Sequence, residues 1–222
     1  MKIQIKKAFI SPFKDNKWHS KILIGGLISA IPMGVFIADG YLILYLHSLL
    51  ISENKNMPRW TDIGVILKVS LKLLMVVLIY AWPIIIECLF ITVPYYSTHN
   101  STSRMILISS LPMMLFIKFF LNIAYVIFAK NNFQISAVIN IKETLKLIRV
   151  HFKKYLIVYL YDVITFFIIT LDVMLFINRR DWIFFLTRLP IATFVFYLYL
   201  VINNMLAMVF GSEEGKATVG ST

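Results

Sequence analysis

Charged side chains are scarce in this chain. Of its 222 residues 15% are Asp, Glu, Lys or Arg, while 59% are hydrophobic and mean hydropathy is +0.81. A soluble domain carries about a quarter charged residues. So little polar surface cannot coat a water-soluble globule, and the composition is that of an integral membrane protein. Cysteine is almost missing too. Cys88 stands alone, which excludes an intrachain disulfide framework and any Cys-rich metal site. It follows Glu87 in an apolar run and reads as a core thiol. The four histidines, His19, His47, His99 and His151, never stand at i, i+4, so no His-Glu-x-x-His zinc site exists. Gly25-Gly26 lies inside an apolar stretch and cannot cradle a phosphate, and Gly211-Ser212 is not a nucleophile elbow. No cofactor is implied, and nothing in the pattern marks an enzyme.

Acidic residues number 11 against 22 basic ones, a net charge of +11. In a soluble chain that balance would raise nucleic acid as a partner. Here the cations crowd the edges of apolar segments and do not interleave with aromatics on any long polar face. That is the pattern of topology determinants, and it speaks against nucleic-acid binding.

Crossing a hydrocarbon core about 30 Å thick takes roughly 20 apolar residues. Five stretches qualify: about 22–51, 69–95, 105–129, 155–177 and 182–210, the last two joined only by 178–181. Aromatic side chains gather at their ends (Tyr95, Tyr96, Tyr155, Trp182), as an interfacial belt requires. The first stretch is too long for one straight crossing and is interrupted by Gly25, Gly26, Pro32, Gly34 and the Asp39-Gly40-Tyr41 step. It is either one kinked helix or a helical hairpin turning near 32–40. Charge counting favours the hairpin. Six lysines precede Ile22, and 130–154 holds Lys130, Lys142, Lys146, Arg149, Lys153 and Lys154. Positive charge belongs on the cytoplasmic side, and both groups fall there only if the first stretch enters and returns.

The expected architecture is all-α and polytopic: four full transmembrane helices plus an N-terminal kinked helix or hairpin. A basic cytoplasmic lead (1–21) precedes one helical transmembrane domain (22–210), and a disordered tail (211–222) follows it. No small-residue cleavage site follows the lead, so it reads as an uncleaved start. The expected location is the cell membrane, with both termini cytoplasmic.

The connector at about 139–154 is patterned as a basic amphipathic interfacial helix. Ile141, Leu145, Ile148 and Phe152 fall at i, i+4, i+7 and i+11, and Lys142, Lys146, Arg149 and Lys153 repeat the spacing one position on. On a helix these make neighbouring apolar and basic stripes, suited to the bilayer and to anionic lipid headgroups. The alternative is a cytoplasmic extension of the fourth crossing. The Met57-Pro58-Arg59-Trp60 step reads as a turn that sets Trp60 at the surface, with Asp62 as an N-cap for the next helix.

Taken in order, Pro12-Phe13, Trp18, Gly25-Gly26, Ile31-Pro32, Gly40-Tyr41, Met57-Pro58-Arg59-Trp60, Tyr80 and Pro83 form a pattern. It resembles a family of uncharacterised prokaryotic multi-pass membrane proteins classed only as a domain of unknown function. The family pattern carries Leu and an acidic residue where this chain has Met57 and Arg59. The resemblance covers residues 12–83 and, more loosely, the chain to about 160. It implies a membrane protein and no activity.

Ionisable groups inside transmembrane segments are costly and are functional candidates by default. They are Asp39, Glu87, Lys118, Asp162, Asp172 and Arg188. Counting at 1.5 Å per residue, Asp172 and Arg188 lie about 9 Å below the outer ends and Glu87 about 10–12 Å. Asp162 and Lys118 lie about 10 and 18 Å from the inner ends. The expected pairs are Arg188 with Asp172 or Glu87, and Lys118 with Asp162. Such pairs either hold the bundle together or line a polar path centred on Glu87 and Lys118.

Two functions follow. One is a non-enzymatic accessory, scaffold or regulatory component that binds anionic lipid, another membrane protein or a second copy of itself. The alternative is a small-solute transporter or permease subunit using the intramembrane charges.

Overall fold

The computed structural model describes residues 4–31, 33–51, 56–87, 102–177 and 182–211, leaving aside the side chains of 83–87, 102–110, 172–177 and 182–187. The expected tail lies outside these residues beyond Gly211, as do 88–95 of the second stretch. The elements are α1 (Ile5–Ile10), a 3₁₀ turn (Ser11–Lys14), α2 (Trp18–Ala30), α3 (Gly34–Ile51), α4 (Ile63–Glu87), α5 (Thr102–Lys130), α6 (Ile135–Val138), α7 (Ile141–Ile177) and α8 (Trp182–Phe210). The described chain is all-α and polytopic: α3, α4, α5, α7 and α8 are each long and apolar enough to cross a membrane.

The first stretch is a hairpin. Gly25 meets Phe196, Gly26 meets Thr193, and the Ala30 carbonyl meets Arg188, so α2 runs antiparallel to α8. Going up α3, Tyr41 meets Phe196, the Leu42 carbonyl accepts from Asn203, and the Tyr45 hydroxyl accepts from Asn204, so α3 runs parallel to α8. The reversal comes at Ile31–Gly34. Ile31 is extended (φ −90°, ψ 129°), the conformation that a following proline imposes, and Gly34 N–H closes the turn on the Ile31 carbonyl at 2.9 Å. The Asp39-Gly40-Tyr41 step, expected as part of the interruption, is continuous helix. At 13 residues, α2 is only about 20 Å long and cannot cross alone. It lies flush on α8 because Gly25 and Gly26 have no Cβ, where one would overlap Phe196 and Thr193.

α8 is the central element, packed against α2, α3, α7 and the N-terminal lead. One apolar core surrounds Tyr41, Tyr45, Phe196 and Leu200, and a second surrounds Leu46, Phe128, Tyr155 and Phe210. The lead is folded onto this bundle. Ala8 is fully buried, Phe9 edges onto Tyr161 and Tyr197, and the Tyr197 hydroxyl donates to the Phe9 carbonyl at 2.9 Å.

Asp15 ties the lead to the segment before α4. It accepts from Lys17 N (3.0 Å), Lys21 Nζ (2.8 Å) and Met57 N (3.1 Å). Trp60, expected as a surface ring, is a packed bridge. It stacks on Tyr41 at 4.1 Å and 9°, and its Nε1 donates to the Lys21 carbonyl at 3.0 Å. Asp62 immediately precedes α4, and its carbonyl accepts from Val65 and Ile66.

The connector differs from the expected separate interfacial helix at 139–154. α7 runs unbroken over 37 residues, from the basic stripe through the fourth crossing. The change from amphipathic to wholly apolar sequence near residue 155 is not itself a break, and no Gly or Pro stands between 141 and 177 to make one.

Candidate functional site

Charged and amide side chains converge inside the bundle from four helices. On α5, Lys118, Asn122 and Tyr125 stand at i, i+4 and i+7 and share a face. Asp162 comes from α7, Tyr199 and Asn203 from α8, and Asp39 from α3. Asp162 is fully buried. One carboxylate oxygen accepts from Asn122 Nδ2 at 2.8 Å, and the other lies 3.2 Å from Lys118 Nζ. Lys118 also approaches the Tyr199 hydroxyl at 3.4 Å and lies 5.5 and 5.7 Å from the ring centroids of Tyr199 and Phe166. The buried carboxylate therefore has a cation and an amide, and the cation has two aromatic faces, which offsets the desolvation of both charges.

Asp39 lies where two small cavities meet. One, of about 160 Å³, is lined by Asp39, Ser29, Arg188 and Tyr199 among apolar side chains. The other, of about 130 Å³, is lined by Asp39, Tyr199, Lys118, Asn122, Tyr125 and Asn203. A water takes about 30 Å³, so each volume suits a few waters or one small polar solute. The arrangement can hold such a guest between a carboxylate and a cation on either side.

The structure thus brings Lys118 and Asp162 together. Arg188 Nη1 donates to the Ala30 carbonyl at 3.4 Å, at the tip of the α2–α3 hairpin. The side chains of its expected partners, Glu87 and Asp172, lie outside the described set. Asp39 was a candidate without an assigned partner, and Asn122 and Asn203 were missed. Asn122 carried a signal, being an amide in an apolar helix four residues after Lys118.

On the surface stretch of α7, Lys142, Lys146, Arg149 and Lys153 are all exposed. So are three of the four apolar stripe residues: Ile141 is 66% exposed, Leu145 51% and Phe152 48%, whereas Ile148 packs against the bundle core. The face turned to the bundle is instead Thr144, His151 and Tyr155, whose hydroxyl donates to the Phe119 carbonyl. Among the described residues, no three of His, Cys, Asp and Glu gather to hold a metal ion.

Over residues 23–178 the chain matches the family described as "Protein of unknown function (DUF4013)". The matched region takes in the hairpin, the Met57–Trp60 step and the connector, and leaves Pro12-Phe13 and Trp18 outside. Among curated proteins and among solved structures, nothing matches.

Proposed function

The chain belongs to that family of unknown function, and from this premise we propose that it is a non-enzymatic membrane accessory protein. It binds anionic lipid or another membrane protein through the surface stretch of α7. The observation that supports this reading is the pair of exposed stripes on one rigid helix, with Ile141, Leu145 and Phe152 beside Lys142, Lys146, Arg149 and Lys153. An apolar stripe of that kind is not left in water, and each flanking cation adds about 1 kcal/mol at an anionic surface.

The test uses Leu145→Cys in a Cys88→Ser background, labelled with a membrane-impermeant maleimide. Labelling should be slow in bilayers containing phosphatidylglycerol if lipid covers the stripe. It should be slow only in native membranes if a protein covers it. Equally fast labelling in native membranes and in both neutral and anionic bilayers would sink the reading.

A second reading, passage of a small solute or ion, is favoured by the two cavities that meet at Asp39. It predicts a flux in proteoliposomes that Asp39→Asn abolishes while the protein stays folded. A flux unchanged by Asp39→Asn would remove it.

A further inference from the structure

A cleft of about 620 Å³ opens where the lead meets the segment before α4. Lys14, Lys17, Lys21 and Arg59 line it against one carboxylate, Asp15. That carboxylate is already engaged by Lys21, Lys17 N and Met57 N. Burial would raise its pKa, but Lys21 and these backbone donors hold it below the ordinary Asp range. Lys14, Lys17 and Arg59 form no ion pair among the described residues. Three like charges around one hollow repel one another until an anion enters.

Beyond these charges the cleft is mixed, with Asn16, Ser20, Asn56 and Thr61 beside an apolar side formed by Ile24, Met57 and Trp60. From Ile24 a stripe continues along α2. Leu23, Ile24, Leu27 and Ile31 are 57%, 39%, 47% and 48% exposed, and they fall at i, i+1, i+4 and i+8 on one face. From Ile22 to Ala38 the sequence holds no charged residue, so the polar boundary falls at the cleft. A free anion would leave that stripe unused. A ligand with a phosphate at one end and hydrocarbon at the other uses both.

We propose that the cleft binds the phosphate headgroup of an anionic glycerophospholipid whose acyl chains lie along the exposed face of α2. The phosphate takes charge-assisted hydrogen bonds from Lys14, Lys17 and Arg59. The site shares no residue with the α7 stripe and stands or falls separately from it.

The experiment is native mass spectrometry of the full chain in detergent, stripped of lipid and titrated with phosphatidylglycerol, phosphatidylcholine or inorganic phosphate. One phosphatidylglycerol should be retained in preference to phosphatidylcholine. Lys14→Ala/Lys17→Ala/Arg59→Ala should weaken that binding at least tenfold, whereas Lys68→Ala/Lys130→Ala, outside both the cleft and the α7 stripe, should leave it unchanged. Lys14→Arg/Lys17→Arg keeps the charge and should keep the lipid, which separates loss of the site from loss of the fold. Undiminished binding by the triple alanine variant, or equal retention of phosphatidylcholine, would overturn the proposal. Binding of inorganic phosphate without phosphatidylglycerol would overturn the assignment to a lipid.

Discussion

Lys21–Asp15 and Lys118–Asp162 are the same chemistry in two settings, at 2.8 and 3.2 Å. Asp15 sits at the edge of the bundle with 10% of its side chain exposed, and two of its three donors are backbone N–H groups. Its work is to join segments that are 42 residues apart in sequence. Asp162 is fully buried, and both its partners are side chains of α5. Water can replace what the first pair loses. The second has only its partners, so each charge there is tolerable only while the other is present.

Removing one member of each pair should separate the two cases. Asp162→Ala leaves Lys118 buried beside two aromatic rings and should cost about 3–5 kcal/mol in thermal unfolding in detergent. The double variant Lys118→Met/Asp162→Leu should recover most of that loss. If the double is as unstable as the single, the two charges are not a mutual pair. Next in size, Gly26→Val drives a side chain into Thr193 and should cost about 1–3 kcal/mol by prising α2 from α8. A wild-type melting temperature would mean that the hairpin does not lie flush. Smallest is Asp15→Asn, about 1 kcal/mol. Because Asp15 has a lowered pKa when folded, its contribution is present in full above about pH 4 and lost as pH falls further. The Asn variant should flatten that part of the acid-stability curve, and an unchanged slope would remove Asp15 as its source.

Much of the helical order can be read from one-dimensional features. Apolar length marks the five helices long enough to cross, and Ile31-Pro32 marks where the first stretch turns. Counting along α5 and α7 puts Lys118 and Asp162 within snorkelling reach of each other, and the structure has them in contact. What the pattern does not carry is anything that depends on the hairpin's return. Asp39 reaches the Lys118 cluster only because α3 comes back along α8, and Arg188 meets Ala30 only because the hairpin tip ends there. Trp60 misleads for a related reason. An aromatic after a proline turn looks like a surface anchor until Tyr41, 19 positions earlier, supplies a ring to stack on. The connector misleads in another way, since amphipathicity reports what surrounds a helix and not where the helix ends.

The unbroken α7 has a mechanical consequence. Pro83, Pro112 and Pro190 interrupt the donor series of α4, α5 and α8, while α7 has neither proline nor glycine along its length. It therefore behaves as a lever without an elbow. Lys142 and Asp162 are 20 residues apart on it, about 30 Å along the axis. A tilt imposed at the basic end is delivered to the buried carboxylate with little absorbed on the way, so whatever grips that end also holds a handle on the Lys118 contact.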